Sequence, residues 1–201
     1  METKKVLRNI LAPALLVIGL LFIVFGGKDI YHAIFSKGPK SNDKAVQEAL
    51  LQSKELKEYE EPRTGARFLY PKNWSAKPIQ NGTSFSTLDD AINVRASVDD
   101  FSGDKEEITP ERYRDLTRTQ LKDLEKEANI TYTPKDEGTT TVANLPAYEW
   151  TYSLQVKDVR IGGSQVWFMK DKKVFVMTYT APEQLFDLFY PLYQQMVSSL
   201  K

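Results

Sequence analysis

The stretch that decides the fold is residues 147–180, read as AYEWTYSLQV (147–156), SQVWFMK (164–170) and VFVMTYT (174–180). In the first segment Tyr148, Trp150, Tyr152, Leu154 and Val156 alternate with Glu149, Thr151, Ser153 and Gln155. A period of two puts an apolar face and a polar face on one strand. The other two segments flank Asp171, Lys172 and Lys173, and that spacing predicts a tight antiparallel hairpin.

Outward from this block, the pattern changes period. Downstream, Leu185, Phe186, Phe189, Leu192, Tyr193, Met196, Val197 and Leu200 recur at three and four, the mark of an amphipathic helix. It is expected to start at Pro182, with Thr180 and Glu183 in capping-box spacing, and to bend at Pro191, which lacks a backbone donor. Upstream, residues 130–142 read as a strand broken by Pro134, Lys135, Asp136 and Gly138. Thr109, Pro110 and Glu111 supply an N-cap hydroxyl, a first-position proline and a first-turn carboxylate. The helix they open runs to about residue 127, with Tyr113, Leu116, Leu121, Leu124 and Ala128 on its buried side and Arg112, Arg114, Lys122 and Lys126 toward water. Residues 91–98 alternate Ile92, Val94, Ala96 and Val98 against Asn93, Arg95 and Ser97, which predicts a sheet covered on one side. They follow a strand at 83–87 across the turn Asp89-Asp90. Residues 68–70 form a short strand before Pro71 and Asn73, and Trp74 is an early core anchor.

The N-terminal part is of another kind. Residues 10–27, ILAPALLVIGLLFIVFGG, run for eighteen positions without a charge, between Lys4, Lys5, Arg8 and Lys28, Asp29. As a helix this reaches ~27 Å, close to the hydrocarbon thickness of a bilayer. The other reading of such a segment, a cleaved signal peptide, lacks its small-x-small cleavage triplet. With no cysteine, lipid attachment through one is excluded. Tyr31 and Phe35 suit an interfacial position. The short tail and the charges nearest the span favour a cytoplasmic N-terminus and an extracytoplasmic domain. The expected layout is a basic tail (1–9), a single-pass anchor in the cell membrane (10–27), a juxtamembrane linker with a short solvated helix marked by Val46, Ala49, Leu50 and Leu56 (28–58), and one folded domain (59–201).

Composition narrows the chemistry. The chain has 27 basic and 27 acidic residues, one histidine, His32, and no cysteine. Residues 59–201 carry 18 Lys plus Arg against 21 Asp plus Glu. That slightly acidic balance argues against nucleic acid, which is held by clustered positive charge. A domain with neither His nor Cys has no Ser-His-Asp or Cys-His nucleophile. Gly162-Gly163 is no phosphate loop and is expected to serve a turn or bulge. The paired-carboxylate candidates are Asp89, Asp90, Glu149 and Asp158, with nothing in the sequence to position a water or a substrate between them.

One loop has metal-like spacing. Asp100, Ser102, Asp104, Glu106 and Glu111 fall at positions 1, 3, 5, 7 and 12 of an EF-hand count, which makes Asp100, Asp104 and Glu111 candidate Ca²⁺ ligands. Against this, position 6 is Lys105 where glycine is required, position 8 is Glu107, and a strand precedes the loop. A solvated loop ahead of a helix is the preferred reading. The aromatic stripe of Tyr148, Trp150 and Tyr152 with Trp167 and Tyr179 is expected to be core beneath the long closing helix, or a carbohydrate or peptide platform if its rings are exposed.

Together GARFLYPKNW (65–74), INVRASVDD (92–100), LPAYEWTYS (145–153), QVWFMKDKKVFVMTYTA (165–181) and QLFDLFYPLYQQMVSSL (184–200) resemble the PsbP/Mog1-like superfamily over residues 59–201. The resemblance implies an α+β fold, an antiparallel sheet of about six strands sandwiched between helices. It implies no catalytic motif and no cofactor. Photosynthetic members of the group act as extrinsic assembly or stabilising subunits. The expected function is thus a non-enzymatic binding or assembly module of a membrane or envelope complex. The alternative is a ligand-binding or hydrolytic domain acting on an envelope component.

Overall fold

The computed structural model describes residues 40–103, 108–128, 130–156 and 158–201. The expected anchor at 10–27 lies outside the described residues; among them no helix is long and apolar enough to cross a membrane. In chain order the elements are α1 (Lys44–Gln52), β1 (Leu56–Glu60), β2 (Arg67–Pro71), β3 (Ser75–Ile79), β4 (Gly82–Thr87), β5 (Ile92–Asp100), α2 (Pro110–Ala128), β6 (Ile130–Val142), β7 (Leu145–Val156), β8 (Val159–Lys170), β9 (Lys173–Pro182) and α3 (Glu183–Ser198).

Strands β3 to β9 form one antiparallel sheet in the order β3-β4-β5-β9-β8-β7-β6, and β1 and β2 form a separate ribbon. That makes seven strands plus two, where the resemblance implies about six and the sequence pattern marks seven. The additions are β1, LKEYE, and β3, SAKPI, which are too charged or too exposed to alternate. The interruption expected at Pro134 is instead a register shift between Pro134 and Asp136 within a continuous β6. β8 and β9 turn on Asp171 and Lys172, with φ of 52° and 58°, and β6 and β7 turn on Ala143 and Asn144, with φ of 52° and 61°. Left-handed conformation at both central residues matches the twist of the flanking strands, here without glycine.

Both faces of the sheet are covered. On the first, Ile92, Val94, Ala96, Phe175, Met177 and Tyr179 lie in one core with Leu185, Phe189, Tyr193 and Met196 of α3. The ribbon adds Phe68 and Tyr70, whose rings meet Phe85 at 5.4 and 4.5 Å. Val46 and Ala49 of α1 are buried in the same core, so this helix is packed and not solvated. α3 begins after Pro182 with no side-chain cap, because Thr180 belongs to β9; the expected capping box is absent.

On the second face α2 covers Tyr148, Trp150, Trp167 and Val176. The aromatic stripe is therefore core, but it lies under α2; only Tyr179 lies under α3. Tyr113 anchors α2, its ring 5.6 Å from Trp167 and its hydroxyl donating to Asp99 at 2.7 Å. Asn93 and Ser97, expected to face water, are buried on this side. Gly162 and Gly163 sit inside β8, not in a turn. A Cβ would lie 2.4 Å from the Phe186 ring at Gly162 and 2.4 Å from the Tyr152 ring at Gly163, so each glycine lets a ring pack on bare backbone.

Candidate functional site

The polar alternation of β7 sends Glu149 to the face that carries α3. There β6 leaves a gap, because the residue paired with Glu149 is Gly138, and a Cβ at Gly138 would meet nothing within 4 Å. α3 brings Tyr190 over the gap, and its hydroxyl donates to Glu149 Oε1 at 3.1 Å. Burial, and then the charge of Glu149, hold the Tyr190 phenol above its ordinary pKa, so it stays a donor.

The result is a groove between the edge strand and the closing helix. Two adjoining hollows, of about 270 and 250 Å³, share Thr140 and Glu149. The first hollow is mainly polar, with Asp136, Glu149, Thr140 and Tyr190, whereas in the second Val142, Ala143 and Val197 stand beside Thr141 and Gln194. No basic residue lines it, and no described cation pairs with Glu149. Lys135 is turned to Glu183 at 3.7 Å, and Glu137 is paired with Arg118 of α2. Such a groove can accept hydrogen bonds from a cation or a row of donors.

The other sequence candidates fall elsewhere. Hydrogen bonds from the Ser102 hydroxyl and then from its backbone N–H, the latter at 2.8 Å, lower the pKa of Asp100, and Glu111 is exposed in the first turn of α2. Asp104 lies outside the described residues, and among those described no three metal-ligating side chains cluster. Asp89 and Asp90 sit in a left-handed turn between β4 and β5, with Asp90 paired to Lys77 at 2.9 Å. Asp158 lies beyond the end of β7. Strands β9 and β8 separate the β4–β5 turn from Glu149, so the carboxylates are not brought together. Sequence reasoning had Glu149 but missed Gly138, Thr140, Gln194 and Tyr190. The one signal available was the polar, threonine-rich run of β6, which marks an edge strand.

The face beneath α2 holds a different set of polar groups. Asn93 donates to Ser84 Oγ at 2.6 Å and Gln165 to Thr178 Oγ1 at 2.8 Å, which leaves both amide oxygens buried without a partner. Arg95 Nε, Ser97 Oγ and the indole nitrogens of Trp150 and Trp167 are likewise buried and unpaired. Burial lowers the pKa of Arg95. These atoms are enclosed, and the open groove beside Glu149 is the better candidate for binding.

Similar solved structures share this architecture. Cyanobacterial PsbP (CyanoP) from Synechocystis sp. PCC 6803 superposes with a TM-score of 0.59 at 17% identity, over 73% of this chain and 91% of that one. LpqN of Mycobacterium tuberculosis, described as involved in cell envelope biogenesis, gives 0.51 at 13% identity, over 82% and 98%. A point mutant of Mog1 gives 0.50 at 12%, over 73% and 95%. No curated protein matches the sequence. A family model described as PsbP-like protein matches residues 15–188, and the chain accordingly belongs to the PsbP-like protein family, with a PsbP/Mog1-like α+β fold.

Proposed function

We propose that this PsbP-like chain is a non-enzymatic interaction module, anchored by residues 10–27 in the cell membrane with its domain outside the cytoplasm, where it binds a protein of a membrane or envelope complex. The observation that carries the reading is the groove itself: an open channel beside a free sheet edge, with the Glu149 and Asp136 carboxylates in its lining and no basic residue among the described ones. The charge-free length of residues 10–27 supports the anchor. The described role of LpqN in envelope biogenesis supports the setting.

The test is purification of the tagged full-length protein from its own host in mild detergent, with crosslinking and mass spectrometry, beside a version lacking residues 1–40. Stoichiometric recovery of one membrane complex, with crosslinks to the folded domain, is the expected result. If nothing co-purifies and the domain instead retains a small molecule, the module reading gives way to a ligand-binding one.

A further inference from the structure

The two edges of the sheet differ. β3 has five residues, includes Pro78, and has Lys77 tied to Asp90, features that blunt an edge against pairing. β6 has thirteen, and beyond the shift at Pro134 and Asp136 it continues to Val142 without proline. Among the described residues nothing pairs with its outer side. A free edge of that length presents a row of unpaired backbone donors and acceptors.

The groove adds a preference for charge. An eighth strand laid beside β6 would place one residue level with Gly138, in line with Glu149. Two inter-strand steps, about 10 Å, would then separate that residue's backbone from that of Glu149. Any other residue at position 138 would fill the space between; glycine leaves it open. A long side chain crossing there finds the Glu149 carboxylate, with Asp136 nearby and no cation in the lining.

We infer that β6 takes an extended segment of the partner as an eighth strand over residues 136–142, and that a Lys or Arg of this segment lies across Gly138 to pair with Glu149. This is β-augmentation, in which backbone bonds give affinity and alternate side chains give specificity. It rests on the interaction-module reading above and names the surface and the chemistry of its occupant. A neutral side chain in that place would leave Glu149 without a counter-charge, and an acidic one would repel it.

The test uses the full-length protein in detergent and three labelled nine-residue peptides of alternating Thr and Val with Lys, Gln or Glu at the centre. The Lys peptide is expected to bind at least tenfold more tightly than the other two and to slow amide exchange in residues 136–142. Glu149→Gln should abolish the preference for Lys, and Gly138→Leu should do the same by filling the gap, with melting temperatures close to that of the wild type. Equal affinity for the three peptides, no binding at millimolar concentration, or exchange protection outside β6 would overturn the inference. The host complex separates the two levels. A partner that still co-purifies with Glu149→Gln and crosslinks away from β6 removes this inference and leaves the module reading standing. Absence of any partner from the wild type removes the module reading itself.

Discussion

The two faces of the sheet are covered by different means. The face under α3, α1 and the β1–β2 ribbon is closed by interlocking apolar and aromatic side chains, and one buried side-chain atom among the described residues, Ser164 Oγ, lacks a partner there. The face under α2 has a smaller apolar core, six such atoms and a buried carboxylate, Asp99. Apolar area stabilises in proportion to its burial, whereas a polar group enclosed without a bond costs about 1–3 kcal/mol. The first face is therefore the better satisfied of the two, and the second combines its apolar core with more buried polar atoms that lack a partner among the described residues.

The largest expected effect breaks the first face. Phe189 of α3 is fully buried, and Phe189→Ala should cost about 3–5 kcal/mol in chemical denaturation, by lost burial and the cavity left behind. On the second face Trp167 is as deeply buried, yet Trp167→Phe also deletes an unpaired indole donor, so the loss should be about 1 kcal/mol or less. Comparable losses at the two sites would erase the contrast.

Acidity gives the intermediate effect. Burial pushes the Asp99 carboxyl up to about 6, against the partial relief of the Tyr113 hydrogen bond and the charge of Arg63. The folded protein then holds this proton more tightly than the unfolded chain, whose aspartates titrate near 3.9. The associated stability is fully present below about pH 4 and lost as the pH rises through 6, on the order of 2–3 kcal/mol. Urea unfolding from pH 4 to 7.5 should show this decline, and Asp99→Asn should flatten it.

The smallest effect touches neither cover. Lys172→Gly places glycine at a left-handed position in the exposed β8–β9 turn and should stabilise by roughly 0.5–1 kcal/mol, measurable as a small rise in melting temperature. A gain of the same size in variants of either face would show that the covers act independently of the hairpin.

Much of this architecture was legible in the sequence. β5, β7, the β8–β9 hairpin and α3 announce themselves because each buries one regular stripe. β1 and β3 do not, since an edge or ribbon strand has little apolar surface to repeat. Which helix covers which face was misread as well. Helix periodicity shows that a stripe is buried, but the layer it meets is set by the strand order, which places β9 between β5 and β8. The groove was the least legible part, because its meaning lies in pairs distant in sequence. Tyr190 and Glu149 stand 41 residues apart, and Gly138 matters only because the register sets it opposite Glu149.

The consecutive glycines of β8 make the sandwich thinnest at its middle. Through one strand's thickness, the Phe186 ring of α3 rests on one side of the backbone and the Tyr152 ring on the other. Elsewhere side chains keep the two layers apart, but here a displacement of either ring bears directly on peptide groups that the other also touches. Residues 162 and 163 are thus a place where rings from both covering layers rest on one strand's backbone, and a methyl group at either position would push a ring off the sheet.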